Sequence, residues 1–223
     1  MNAKEVTEIM KNTIAADLLK LGAVFLRPDE PFTWASGIKS PIYCDNRLTL
    51  SDVEVRSHVE NGLAETIRRD FPEAEALFGT STAGIAHAAI AAHILGLPMG
   101  YVRGGAKDHG RRNQIEGKLI PGQKVVVVED LISTGGSAVE VVEILRRAGA
   151  NVLGIASIFT YGMEKGIKRL NDAGVRNISL TDFDAVIQVA ADTGYIKPGD
   201  KARLLAFRAN PADESWISGR DDA

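Results

Sequence analysis

Cysteine is almost missing from this chain. Its 223 residues hold one, Cys44, so no intrachain disulfide can form and a disulfide-stapled scaffold is excluded. Charge of one sign is also scarce in excess: the formal net charge is −3 and the pI near 5.9. Bulk electrostatics therefore give no argument for a nucleic-acid protein, and any anion site must be local. No apolar run reaches the roughly 18 residues of a membrane span. The longest, Ala83 to Met99, is interrupted by His87 and His93 and reads as a buried helix. The opening Met-Asn-Ala-Lys-Glu lacks a basic-then-apolar leader pattern, so the cytosol is the expected compartment. His58, His87 and His93 are dispersed with no Cys/His/Asp spacing for zinc, and are read as ordinary helix-face histidines. Neither G-x-x-x-x-G-K-[ST] nor a strand followed by G-x-G-x-x-G occurs, which removes two common nucleotide-binding motifs. No internal repeat, low-complexity tract or linker is present.

What the chain does have is an ordinary globular composition, 45% hydrophobic and 25% charged. That suits one α/β domain with an appendage. Apolar residues from Val6 to Leu21 recur at helical spacing. Residues 24–44 then break into short apolar and aromatic pieces punctuated by Gly, Pro and Ser, as short strands and turns do. Ser51-Asp-Val-Glu54 has the pattern of a capping box opening a helix to about Asp70. Alternation follows: strand 76–79, helix 83–95, strand 98–103, polar loop 104–117, strand 124–129, helix 136–148, strand 152–159, helix 163–173, strand 177–180 and helix 182–191. Such alternation implies a mainly parallel sheet flanked by helices on both faces. The expected layout is a single domain: an N-terminal helix and small hood over about 1–50, an α/β core over about 51–207, and a polar tail over about 209–223 whose last dozen residues fray.

Residues 125–137, V-V-V-V-E-D-L-I-S-T-G-G-S, carry the strongest signal. Four valines describe a strand buried on both faces, and Glu129 and Asp130 stand at its carboxyl end, where open α/β sheets bind ligands. Ser133, Thr134, Gly135, Gly136 and Ser137 lead into a helix, so their N–H groups and hydroxyls can surround a phosphate at the positive end of the helix dipole. The plainer alternative is a buried strand with a polar turn and helix cap. This segment resembles the signature of type I phosphoribosyltransferases, which bind 5-phosphoribosyl-1-diphosphate (PRPP). The resemblance implies that Glu129 and Asp130 hold the ribose hydroxyls while Leu131, Ile132 and the turn through Ser137 wrap the 5′-phosphate. Two carboxylates repel a phosphate but accept hydrogen bonds from a vicinal diol, in keeping with that assignment. G-T-S-T-A-G-I at 79–85 is similar to the diphosphate loop of the same fold, although a tight turn and N-cap explain it equally well.

In residues 103–117, R-G-G-A-K-D-H-G-R-R-N-Q-I-E-G, the first ten positions set Arg103, Lys107, Arg111 and Arg112 against the single acid Asp108, a formal +3. Glycines at 104, 105, 110 and 117 would let such a segment swing, as a lid needs; a solvated surface loop is the bland alternative. A-K-D-H-G resembles the catalytic loop of orotate phosphoribosyltransferases. That resemblance implies that Arg103, Lys107 and His109 meet the diphosphate, with Lys107, Arg103, His109 and Asp130 as the catalytic set. It further implies Mg²⁺ bound mainly through PRPP, with no direct protein metal ligand, and a homodimer in which loop 104–117 is shared across subunits.

Residues 32–47, F-T-W-A-S-G-I-K-S-P-I-Y-C-D-N-R, resemble the hood that covers orotate in that family, and separate it from the purine enzymes sharing the core. On this resemblance Ser36, Gly37 and Lys39, with Ser133 from the phosphate side, bind orotate. Ala35 and Gly104 stand where the enterobacterial pattern has lysines, and Tyr161 where it has an arginine that contacts orotate. Cys44 is read as packing rather than as a nucleophile, and Trp34 as hood or core. The function expected is transfer of the phosphoribosyl group to orotate, giving orotidine 5′-monophosphate. A purine or xanthine phosphoribosyltransferase and a non-catalytic PRPP-sensing regulator are the alternatives. No nucleic acid or membrane partner is expected.

Overall fold

The chain was analysed as a computed structural model that describes residues 3–34, 37–104 and 114–218. Its sheet is organised around the valine strand, β8 (Lys124–Ile132). Val125, Val126, Val127 and Val128 are all fully buried, and the period-two alternation of a strand divides them between two cores. Val126 and Val128 join a core with the helices α1 (Ala3–Leu21), α2 (Val53–Asp70), α3 (Ala83–Leu95) and α6 (Phe183–Asp192). Val125 and Val127 join a second core beneath α4 (Gly136–Arg147) and α5 (Glu164–Asp172).

On one side β8 pairs in parallel with β9 (Asn151–Thr160), which pairs with β10 (Asn177–Asp182). On its other side stands β5 (Ala76–Thr80), followed by β6 (Met99–Val102), again in parallel. The order β10-β9-β8-β5-β6-β7 ends on β7 (Ile115–Glu116), which runs antiparallel to β6. The sheet is thus mainly parallel and covered on both faces, as the alternation predicts. Two small antiparallel pairs sit apart from it. One joins β1 (Val24–Leu26) to β4 (Ile42–Cys44), the other β2 (Phe32–Thr33) to β3 (Lys39–Ser40).

Four expectations need correction. The stretch 104–117 is not loop throughout, because its end returns as β7 to give β6 a hydrogen-bonding neighbour. Strand β8 runs three residues past Glu129, since Leu131 and Ile132 still pair with Phe159 and Thr160. The cap of α2 is Asp52, whose carboxylate accepts from the N–H groups of Glu54 and Val55 at 3.0 Å each; Ser51 instead ends a 3-10 turn, Asn46–Ser51. Finally, the end of the chain is not simply a polar tail. It forms α7 (Asp200–Ala209) and a short α8 (Ser215–Ser218), with Phe207 and Trp216 in the first core.

Candidate active site

The strand β5 delivers Thr80 to the carboxyl edge of the sheet beside Glu129. Glu129 is 4% exposed, and its carboxyl group is held by neighbours on two turns. The Thr80 hydroxyl donates to Oε1 at 2.7 Å, the Asp130 N–H donates to the same oxygen at 3.0 Å, and the Ser137 hydroxyl lies 3.4 Å from Oε2. Burial, then the hydrogen bond and negative charge of adjacent Asp130, push its pKa up to about 8, against the Thr80 and Asp130 donors. Near neutral pH Glu129 therefore keeps its proton for much of the time. Asp130 is the more exposed of the two, and its backbone carbonyl accepts from the Asn46 side chain at 2.7 Å.

Beyond β8, Ser133–Ser137 turns into the N-terminus of α4. Gly135 has φ +70°, a left-handed conformation that suits glycine. Gly166 of α5 packs directly beneath the turn, where a Cβ would collide with the Ser133 carbonyl. Arg169, from the same helix, donates to the Thr134 carbonyl at 3.0 Å. Leu131 and Ile132 precede this turn; Ile132 is buried and its carbonyl accepts from Tyr161 N–H at 2.9 Å. The second turn, Thr80–Thr82, opens α3, with Ser81 and Thr82 exposed and the peptide between them cis. Gly84 brings α3 against Thr80 and the Val128 carbonyl.

Arg103 leaves β6 with its guanidinium 2.9 Å from the Glu116 carboxylate of β7. Lys107 and His109, the other two cations assigned to the diphosphate, lie outside the described residues, as do Arg111 and Arg112.

The hood stands over the carboxyl ends of β8 and β9. Its 3-10 turn supplies Asn46, and its hairpin supplies Trp34, whose ring meets Tyr161 edge-on at 5.7 Å between centroids. Trp34 thus belongs to the hood and also packs on the first core. Tyr161 follows β9 and is 3% exposed among Trp34, Phe159 and Phe183. Burial raises its phenol pKa well above the ordinary value, so the hydroxyl stays protonated. Gly37 has φ +86° at the hairpin tip, while Ser36 and Ala35 lie outside the described residues. Lys39 donates across the hairpin to the Thr33 hydroxyl at 2.7 Å. Cys44 contacts the Asn46 side-chain oxygen at 3.3 Å, and burial raises its thiol pKa, the opposite of what a nucleophile needs.

Two of the helix-face histidines, His58 and His87, are structural as placed. His58 pairs with Asp17 at 2.7 Å, and fully buried His87 pairs with Glu60 at 2.6 Å, joining α3 to α2. Three residues of the site escaped the sequence reading: Asn46, Thr80 as a partner of Glu129, and Arg169. For Thr80 the G-T-S-T-A-G-I turn and for Asn46 the hood segment 32–47 are partial signals; for Arg169 the sequence offers none.

Comparison with known proteins agrees with this geometry. The phosphoribosyl transferase domain model matches residues 55–193. Orotate phosphoribosyltransferase of Bacillus cereus (strain G9842) is 58% identical over 209 residues, covering 94% of this chain and all of that protein. Among solved structures, orotate phosphoribosyltransferase from Aeropyrum pernix superposes with a TM-score of 0.72 at 34% identity, over 82% of this chain and 99% of that one. Leishmania donovani UMP synthase gives a TM-score of 0.76 at 26% identity, over 89% of this chain but 42% of that longer one. The chain belongs to the orotate phosphoribosyltransferases of the phosphoribosyl transferase domain family.

Proposed function

We propose that this chain transfers the phosphoribosyl group of PRPP to orotate, forming orotidine 5′-monophosphate and diphosphate in pyrimidine synthesis. The observation that carries the reading is the seating of the hood, through Asn46 and Trp34, over the strand ends that hold Glu129 and Asp130. A base and a ribose phosphate bound there would be adjacent.

In this reading the Ser133–Ser137 turn takes the 5′-phosphate with backbone N–H groups and hydroxyls at the α4 N-terminus. Asp130 accepts from the ribose diol, and Glu129, when protonated, keeps a second negative charge away from a ligand that already carries several. The bond from C1′ to the diphosphate oxygen breaks as a ring nitrogen of orotate bonds to C1′; the bonding electrons leave with diphosphate, which with solvent takes up the proton the nitrogen gives up. Arg103, Lys107 and His109 stabilise charge that grows on this leaving group, so they favour the transition state over the ground state. Lys39 and backbone N–H groups near Gly37 and Ser36 meet the base, with Ser133 opposite.

Mg²⁺ fits this donor set. PRPP would supply the hard oxygens that this ion prefers, and the partly exposed Asp130 carboxylate, accepting from the ribose diol, would add negative charge to the site without being a direct ligand. When bound, the ion would neutralise diphosphate charge. The same reading makes the enzyme a homodimer in which loop 104–117 serves the partner's site. In its support, the outward side of α3 is mostly apolar, with Ala86, Ala89, Ile90 and Ile94 partly or fully exposed around His93. The free thiol of Cys44 suits a reducing cytoplasm.

Ultraviolet absorbance of the purified protein with PRPP, Mg²⁺ and each base tests the reading. Consumption of orotate but not of hypoxanthine, guanine or xanthine is expected. Preference for a purine would overturn it, and PRPP binding without turnover would favour a sensor.

A further inference from the structure

The far end of the chain reaches the hood through one arginine. Arg203 on α7 is 8% exposed, yet every nitrogen of its guanidinium has an acceptor. Nε donates to the Trp216 carbonyl at 3.0 Å. Nη1 donates to Asp29 at 2.8 Å and to Asp200 at 3.0 Å, and Nη2 to the Pro28 carbonyl at 2.6 Å and the Ile217 carbonyl at 3.5 Å. Pro28 and Asp29 are the residues by which the chain passes from β1 into the β2–β3 hairpin. Lys197 adds a second cation on Asp29 at 3.0 Å, and these two donors hold the Asp29 carboxyl below its usual range.

A second contact on the same helix points the same way. Phe207 is four residues beyond Arg203, hence on the same face of α7, and it meets Trp34 of the hairpin edge-on at 5.7 Å. Its other side carries Trp216, also at 5.7 Å. The hairpin is therefore fixed at its entry by a forked ion pair and at Trp34 by an aromatic contact. Both come from the carboxy-terminal helices and neither from the phosphate-binding turns.

We propose that Arg203 is a positioning residue for base recognition: it fixes the entry of the hood hairpin from the carboxy-terminal helices, so affinity for the base depends on a side chain whose donors are all spent on protein. The inference rests on residues 32–47 being the base-covering hood. Lysine cannot replace the fork, because an ammonium is a point donor that cannot span Pro28, Asp29 and Trp216 together.

The test is steady-state kinetics and calorimetry on the full-length protein with Arg203→Met and, as a milder variant, Asp29→Asn, which leaves the other acceptors of Arg203 in place. Misplacing the hairpin should raise the orotate KM about tenfold or more in Arg203→Met. The shift should be smaller but in the same direction in Asp29→Asn, while PRPP affinity stays within about twofold. Equal rises for both substrates, or no rise for either, would overturn the inference; if Arg203→Met does not fold, Asp29→Asn decides alone by the same split. A wild-type protein that ignores orotate would overturn the reading of the hood instead, and this inference with it.

Discussion

The Asn46 side-chain amide donates to the backbone carbonyl of Asp130 at 2.7 Å, joining residues 84 apart in sequence. Asn46 is fully buried, so this bond connects the hood, proposed to cover the base, to the strand end that carries the two carboxylates proposed to hold the ribose. Replacing Asn46 by alanine leaves that carbonyl without its donor and should cost about 1–3 kcal/mol in denaturant unfolding. Because the bond sits between the two subsites, the KM values for orotate and for PRPP should both rise. A change in only one of them would show that the two subsites are held independently.

Glu129 makes stability depend on pH in a defined direction. Its pKa is near 8 in the folded chain, against 4.5 in an ordinary setting, so the folded state binds a proton that the unfolded state releases. The contribution is fully present below about pH 4.5 and is lost as pH rises towards 8, at up to about 1.4 kcal/mol per pH unit. Glu129→Gln cannot titrate. Its unfolding free energy, measured between about pH 5 and 8, should fall less steeply than that of the wild type. Parallel curves would contradict the protonated assignment. Combined with Asp130→Asn, the same change should preserve folding and sharply weaken PRPP binding by calorimetry.

Two lysines should separate by kinetic signature. Lys107→Ala should lower kcat about 10²-fold or more with little effect on KM, as loss of one donor to developing charge does. Lys39→Ala should instead raise the orotate KM by about ten- to a hundredfold, the worth of one charge-assisted hydrogen bond, and leave PRPP affinity nearly unchanged. Normal orotate kinetics in Lys39→Ala would transfer that role to the hood backbone.

Gly84 tests the packing behind the site. A Cβ there would stand 2.5 Å from both the Thr80 hydroxyl and the Val128 carbonyl. Gly84→Ala should therefore destabilise the fold by about 1–3 kcal/mol and raise the PRPP KM by disturbing the Thr80–Glu129 bond. Unchanged thermal unfolding would mean that α3 can withdraw without cost.

Local pattern carried much of this structure in the sequence. Helix α3 begins and ends at the residues its composition predicts, and four valines followed by two acids located the centre of the sheet and the edge where ligands bind. What stayed hidden is joined across distance. Thr80 and Glu129 are 49 residues apart, and no periodicity relates them. Helix α7 was missed because Asp200, Lys201 and Arg203 give its first turn a polar look; two of these, Asp200 and Arg203, are buried against each other. Acids surround Trp216 in sequence and give it the look of a fraying tail, whereas its ring fills a place beside Phe207. The α2 cap was misplaced by one position, since Ser51 and Asp52 are both good caps and only the preceding 3-10 turn decides between them.

The placement of the two edges of the site within the sheet has a consequence for backbone exchange with solvent. The valines that lead to Asp130 are laddered on both sides, to β5 and to β9, so their amides open to deuterium only when most of the domain opens. Arg103 rests on Glu116 of β7, a two-residue strand with one neighbour at the margin of the sheet. Losing that pairing breaks a single ladder, although it also lifts Ile115 from the margin of the second core. The strand leading to the proposed ribose site and the rim proposed to meet the leaving group thus differ in how much must open before they exchange, two ladders for the one and a single ladder for the other.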